Sequence, residues 1–348
     1  MLNKIICQSG LCLILVVFLL TSCTSTINPL NISDPEITVV WPKAPEKPRI
    51  KLLRSLSGPE DLLDRKVQKN RLFRWLTGEM TEPMPLVSPY GIATDGDGTL
   101  WIADPGAHAV HVLDLKKRKS QLWMLAGNES FGSPVSIAFD ASNQKIYVAD
   151  TTLNKIVVLS MDGDLISYIA PEEPFGRPGG IALGLQGDLF VADVLKGVIR
   201  HFSVSGHELP ALGSPTTPSG LFNRPIGLAV DVQGLIYVID SLNFRIEVIT
   251  QTGEAVSSIG ELGDQPGNLS RPRGVAVDGS GHIYVSDAAF DNIQIFNLKG
   301  ELLLVFGGDG KFRLSLPAEL ASDLENRIYA VDSFNRQIKI YQYLDPSD

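Results

Sequence analysis

The sequence predicts an all-β fold, a six-bladed β-propeller, and three observations predict it. Six prolines, Pro89, Pro134, Pro178, Pro225, Pro272 and Pro317, each open a turn that leads into a short apolar run. Six aspartates, Asp104, Asp150, Asp193, Asp240, Asp287 and Asp332, each end a second apolar run fifteen residues later, or sixteen in the second copy. Six residues beyond each Asp stands Val110, Ile156, Ile199, Ile246, Ile293 or Ile338. A repeat of 43 to 47 residues built from short strands is the signature of a propeller blade. A chain of 348 residues needs no second domain on this reading, because each blade buries its faces against its neighbours.

At the N-terminus, Lys4 precedes an apolar stretch from Leu11 to Leu20, too short to span a bilayer comfortably and suited to the h-region of a signal peptide over residues 1–22. The tetrapeptide Leu20-Thr21-Ser22-Cys23 resembles the lipobox of bacterial lipoproteins. That resemblance implies a diacylglyceryl group on Cys23 and cleavage just before it. Cys7 and Cys12 would leave with the signal, so the exported domain has no disulfide. Two or three acyl chains anchor a protein essentially permanently. Thr24 stands where Asp would favour inner-membrane retention, so the expected address is the outer membrane of a Gram-negative envelope, facing the periplasm. No cofactor besides that lipid is expected.

Residues 23–48 carry five prolines and read as an extended tether, in which Trp41 with Val39 and Val40 is the one sticky spot, suited to a contact with the propeller in preference to a place among lipid headgroups. Residues 49–58 look like a fourth blade strand, a strand that the last copy lacks before the chain runs out at Tyr343. Pairing this segment with the strand near Ile338 would close the ring and remove an exposed sheet edge. Residues 59–80 begin with Ser57 and Pro59, place Glu60 and Asp61 in a first turn and reach Gly78, which predicts a helical insertion. Its basic face suits an acidic partner or anionic lipid as well as packing over the propeller. The propeller spans residues 49–344, with blades starting near 88, 133, 177, 224, 271 and 316, and residues 345–348 form a tail.

The fourth blade illustrates the strands. Leu228 to Asp231 reads as strand a, Leu235 to Asp240 as strand b and Arg245 to Thr250 as strand c, with strand d ending near Gly260. Strand b, Ile236-Tyr237-Val238-Ile239, is apolar on both faces, as a sheet sandwiched between two others requires. Fourth strands are expected at 121–127, 165–171, 208–214, 255–261 and 302–308.

The copies Pro-x-Gly-hydrophobic-Ala-hydrophobic-Asp and Tyr-Val-x-Asp-Ser-x-Asn-x-Arg-Ile, best seen at 225–246 and again at 317–338 with Gln337 for Arg, resemble NHL repeats over about three quarters of the chain. The resemblance implies the propeller fold and leaves activity open. Such propellers include binding scaffolds, sugar-lactone hydrolases and a peptide-amidating lyase.

Function must therefore be sought in individual residues. The six repeated Asp residues suit structural capping of backbone N–H groups in the turn between strands b and c, since one active site needs unequal residues. The five histidines, His108, His111, His201, His207 and His282, read as a scattered surface set rather than a metal site. No catalytic residue, no metal ligand and no other cofactor-binding residue is assigned. What differs among the blades is the opening turn, where Arg177, Arg224, Arg271 and Arg273 cluster in blades three to five. Blades one, two and six have Ser88, Ser133 and Leu316 at the position before the turn proline. Glu319 and Ser136 replace the turn glycine in blades six and two. Arg177, Arg224, Arg271, Arg273 and Glu319 form the candidate binding face.

The net charge is −9, and the signal would carry away only Lys4, leaving an acidic exported chain without the electrostatic footprint of nucleic-acid binding. The expected function is a monomeric, membrane-anchored, non-catalytic scaffold for an envelope protein or peptide. The alternative is a lactonase- or lyase-type enzyme with a divalent metal at the channel mouth.

Overall fold

A computed structural model describes residues 29–62, 84–213, 222–308 and 310–344. Six antiparallel sheets follow one another around a ring, and in the first five the strands a to d run in chain order from the axis outward. Blade one comprises Gly91–Thr94, Thr99–Asp104, Ala109–Asp114 and Lys119–Trp123. Blade four comprises Pro225–Val230, Ile236–Asp240, Arg245–Ile249 and Ala255–Ile259. Blades two, three and five repeat the pattern. Strand a of blade four begins at Pro225, three residues earlier than the apolar run suggests. The d strands stop before glycines such as Gly260, whose φ of 83° turns the chain.

Burial follows the position of each strand. Every residue of Ile236–Asp240 is buried, whereas only Ile259 is buried in the outer strand Ala255–Ile259. The core is a series of apolar layers between blades rather than one centre. Trp101 of blade one stacks on Phe139 of blade two with ring centroids 5.0 Å apart. Near the axis the inner strands touch backbone to backbone. A Cβ on Gly180 would lie 2.7 Å from Gly227 Cα, and one on Gly274 would lie 2.3 Å from Ala318 O. The glycine of Pro-x-Gly is therefore a packing requirement.

The ring is closed by Ile50–Leu56, which completes blade six beside Gln337–Tyr343. The register runs from Ile50 opposite Tyr343 to Leu56 opposite Ile338, with a bulge between Leu52 and Arg54. This is the closure the sequence predicts. From residue 29 onward the segment expected as an extended tether runs along the propeller, and Trp41 makes the contact with it that the sequence favours. Val40–Trp41 pairs with Ile50 and Lys51, making blade six five-stranded. Trp41 lies 5.9 Å from the Phe306 ring and 6.0 Å from the Tyr341 ring, and it is buried like Ile37. The physical reason is the closing strand itself, whose outer edge would otherwise expose unpaired backbone groups.

Pro59–Leu62 form a single 3-10 turn, and the remainder of the helix expected over 59–80 lies outside the described residues. The expected signal peptide over residues 1–22, the expected lipidation site Cys23 and the tail 345–348 also lie outside them.

Candidate functional site

The site is built on the six strand-b aspartates, all with no exposed surface. Their carboxylates accept N–H groups from two places at once, the b–c turn and the opening turn of the same blade. Asp104 accepts from Val87, Ser88 and Ala107, and Asp150 from Gly132, Ser133, Thr152 and Leu153. Asp193 accepts from Gly176, Arg177 and Lys196, and Asp287 from Ser270, Arg271 and Ala289. In blade four Asp240 accepts from Asn223 N at 2.6 Å and from the Asn243 side chain; in blade six Asp332 accepts from Ser315 N and the Asn335 side chain. There the residue before proline, Arg224 or Leu316, has a φ of 58° or 49°. Capping thus extends beyond the b–c turn to the opening turn, and so to the backbone of Arg177 and Arg271.

A second anchoring position escaped the sequence reading. Seven residues after each Asp, on strand c, stand His111, Val157, Arg200, Glu247, Gln294 and Lys339. Arg200 Nη1 donates to Glu173 O at 2.8 Å, Gln294 Nε2 to Asn268 O at 2.8 Å, and Lys339 Nζ to Phe312 O and Arg313 O, both at 2.8 Å. These are carbonyls of the loops that lead into the opening turns. Lys339 also forms a buried ion pair with Asp332 at 2.6 Å. Burial lowers the affinity of Lys339 for its proton, and Asp332 opposes that effect without cancelling it. The available signal was a polar residue interrupting an otherwise apolar strand.

Above this framework lies a cavity of about 470 Å³ at one mouth of the channel. Arg177, Arg224 and Arg271 form part of its rim, and Arg273, Tyr90, Val135, Gly179 and Ile226 part of its floor. The structure therefore brings together all four sequence-predicted arginines. Arg177, Arg224 and Arg271 are exposed, and none of the four forms an ion pair among the described residues. Their fields converge. Burial raises the affinity of the Tyr90 phenol for its proton, while Arg273, Arg177 and Arg271 pull the other way. The Arg273 guanidinium sits 5.6 Å from the Tyr90 ring centroid. Apolar side chains lie among these charges, since Val194 N donates to Arg177 O at 2.9 Å and Leu242 N to Asn223 O at 3.0 Å, while blade two adds Val135 with the neutral Ser133 and Thr151.

Glu319 lines the same cavity but is 92% withdrawn from solvent, with 8% of its surface exposed. It reaches from blade six over Gly91 of blade one, whose Cβ would lie 2.8 Å from Glu319 Oε2. Ile92 N donates to Oε2 at 3.0 Å, and Ser136 Oγ of blade two donates to Oε1 at 2.6 Å while accepting from Ile181 N of blade three. The two departures from the turn glycine are thus partners, linking four blades. Burial pushes the Glu319 carboxyl up to about 8, more than the hydrogen bonds from Ser136 and Ile92 lower it. At neutral pH it is largely uncharged and leaves the arginine field uncompensated.

Among the described residues no histidine lines this mouth. The picture of a surface histidine set holds only in part, since His111 is buried with Nε2 3.5 Å from Asp104 Oδ2. His201 and His282 pair with Asp188 and Asp278 at 3.0 and 2.9 Å. Among the described residues no three His, Cys, Asp or Glu side chains converge as a metal site would require. At the arginine mouth Glu319 is the one carboxylate among the described lining residues, and that donor set does not fit a divalent ion there. The other channel mouth is acidic, with Asp95, Asp97, Asp231, Asp323 and Glu325 around a cavity of about 550 Å³.

Comparisons with known proteins agree with this architecture. The NHL repeat family matches residues 222–249 and 269–296, covering much of blades four and five, so the chain carries NHL repeats. A stretch of 147 residues is 29% identical to a probable peptidyl-alpha-hydroxyglycine alpha-amidating lyase of Caenorhabditis elegans, covering 38% of this chain and 41% of that protein. The chain thus spans about two fifths of that relative. A streptogramin B lyase structure superposes with a TM-score of 0.55 at 19% identity, over 75% of this chain and 85% of the other. A virginiamycin B lyase from Staphylococcus aureus with quinupristin gives 0.54 at 18% identity, over 77% and 88%. Hydrazine synthase of Kuenenia stuttgartiensis gives 0.54 at 13% identity, over 75% and 97%. At these identities the structural likeness shows the fold alone.

Proposed function

We propose that this protein is a monomeric, lipid-anchored envelope scaffold that binds, without catalysis, a protein or peptide at the arginine-rich channel mouth. One observation carries the reading: four guanidinium groups without an ionic partner among the described residues share one cavity in an otherwise acidic chain. Unpaired arginines grouped in this way attract an anionic group and hold it through paired N–H donors. Anchoring rests on the Leu20-Thr21-Ser22-Cys23 junction, and the periplasmic face of the outer membrane on Thr24. Replacing Cys23→Ser should release the protein from the membrane fraction. Persistence there would count against the anchor.

The decisive experiment is crosslinking in the native envelope, comparing the wild type with an Arg224→Ala, Arg271→Ala double variant. The variant should lose its captured partner while keeping its melting temperature. Capture at wild-type level would dispose of the mouth as the binding site.

A second reading, a lyase-type enzyme, is favoured by the match to the probable amidating lyase. It predicts a stoichiometric divalent ion in the purified soluble domain. Metal analysis separates the two, since the scaffold needs none.

A further inference from the structure

We infer that the mouth selects a peptide end that presents at least two carboxylates beside one apolar side chain, and that it takes this end tip first. The inference rests on the proposed mouth-binding function and specifies its ligand.

Charge matching calls for more than one acid group. Arg177, Arg224 and Arg271 come from three consecutive blades, and Arg273 adds a fourth charge on the floor. A single carboxylate would leave most of this charge uncompensated. Glu319, mostly neutral and spent on Ser136 and Ile92, supplies no substitute. Two adjacent carboxylates suit the arrangement, because each accepts a guanidinium fork from a different direction.

The shape sets the manner of approach. A cavity of about 470 Å³ lies within the range of about 300–1,000 Å³ typical of small-ligand sites and admits a chain tip, whereas a folded acidic surface would touch only the rim. At the glycine positions the inner strands of neighbouring blades touch backbone to backbone, so the gaps between blades admit no side chain and the cavity is entered from its mouth. Beside the arginines Val194 and Leu242 offer apolar surface to a side chain, and blade two adds Val135 with the hydroxyls of Ser133 and Thr151.

Fluorescence anisotropy with the full propeller and labelled heptapeptides tests this. The first probe ends Leu-Asp-Glu with a free carboxylate, the second ends Leu-Asn-Gln as an amide, and the third replaces Leu by Ser. The amide probe should bind at least about tenfold more weakly, as expected when charge partners are lost in a partly desolvated site. The Ser probe should lose affinity by a smaller factor. Raising salt from about 0.1 M to about 1 M, which shortens the Debye length from about 10 Å to about 3 Å, should weaken the acidic probe most. Equal binding of the first two probes, no binding of the first, or tighter binding of inorganic pyrophosphate than of the first would overturn the inference.

The envelope crosslinking experiment keeps the failures apart. Partner capture that depends on Arg224 and Arg271 while the probes fail sinks only this ligand assignment. Capture that ignores the arginines sinks the binding site itself. Because both arginines are exposed, an unchanged melt certifies that the variant is folded.

Discussion

Two rings of residues lie beside each other at one end of this propeller and behave in opposite ways. The aspartates closing strand b are the same residue six times and fully buried, with carboxylates spent on backbone N–H groups. The residues just before the turn prolines are Ser88, Ser133, Arg177, Arg224, Arg271 and Leu316. The backbones of Arg177 and Arg271 are held directly by Asp193 and Asp287, each at 3.1 Å. Positioning is therefore carried by one ring, and the proposed recognition falls to the other. Repetition marks the group that holds a loop, and departure from repetition marks the side chain free to meet a ligand.

The largest effect expected comes from removing what both rings depend on. Deleting residues 49–58 strips Gln337–Tyr343 of its partner and opens the ring, so cooperative thermal unfolding should shift sharply downward. An unchanged melt would show that closure resides elsewhere. Next come the buried anchors. Asp332→Ala leaves Lys339 charged and unpaired inside the protein and should cost about 3–5 kcal/mol in urea unfolding. Asp287→Ala removes the acceptor of three backbone N–H groups and should cost about 2–4 kcal/mol.

Glu319 stands between the rings, since it departs from the repeat yet is buried. Its folded affinity for a proton lies at about 8, against an ordinary carboxyl value of 4.5 in the unfolded chain. Below the lower value both states are protonated, and above the higher value both are ionised. Between them folding takes up a proton, so stability should decline as pH rises through this window, by on the order of a few kcal/mol in total. Glu319→Gln keeps an acceptor for Ile92 N–H and a neutral group beside Ser136, and should flatten that slope. A slope retained in the variant would assign it to another group.

The smallest effect on stability is expected at the rim. The Arg224→Ala, Arg271→Ala pair should stay within about 0.5 kcal/mol of wild type per exposed site while losing its ligand. A large stability loss there would erase the distinction between the two rings.

The repeat made the blade pattern legible, because proline, glycine and aspartate each answer a local geometric demand within one copy. The cationic mouth was legible for the same reason, through comparison of equivalent positions. What escaped were relations between copies. Glu319 and Ser136 stood out as exceptions, but nothing in a linear pattern says that residues 183 apart meet across Gly91. The anchoring role of Arg200, Gln294 and Lys339 also depends on loop carbonyls brought back over strand c, whose location follows from tertiary packing. Trp41 lay within a stretch whose prolines suggest extension. Extension is correct, but the chain extends along the edge of blade six, where Phe306 and Tyr341 bury the indole.

The pairing of Ile50–Leu56 with Gln337–Tyr343 has a consequence for how the molecule comes into being. A segment made early in synthesis must wait, unsatisfied, until nearly three hundred residues more have left the ribosome. Every shortened product lacking the final strand exposes two raw sheet borders at once, which makes it prone to self-association and visible to proteases. Completion is thereby built into the geometry as a checkpoint, since the circle seals only for a chain synthesised through its last strand.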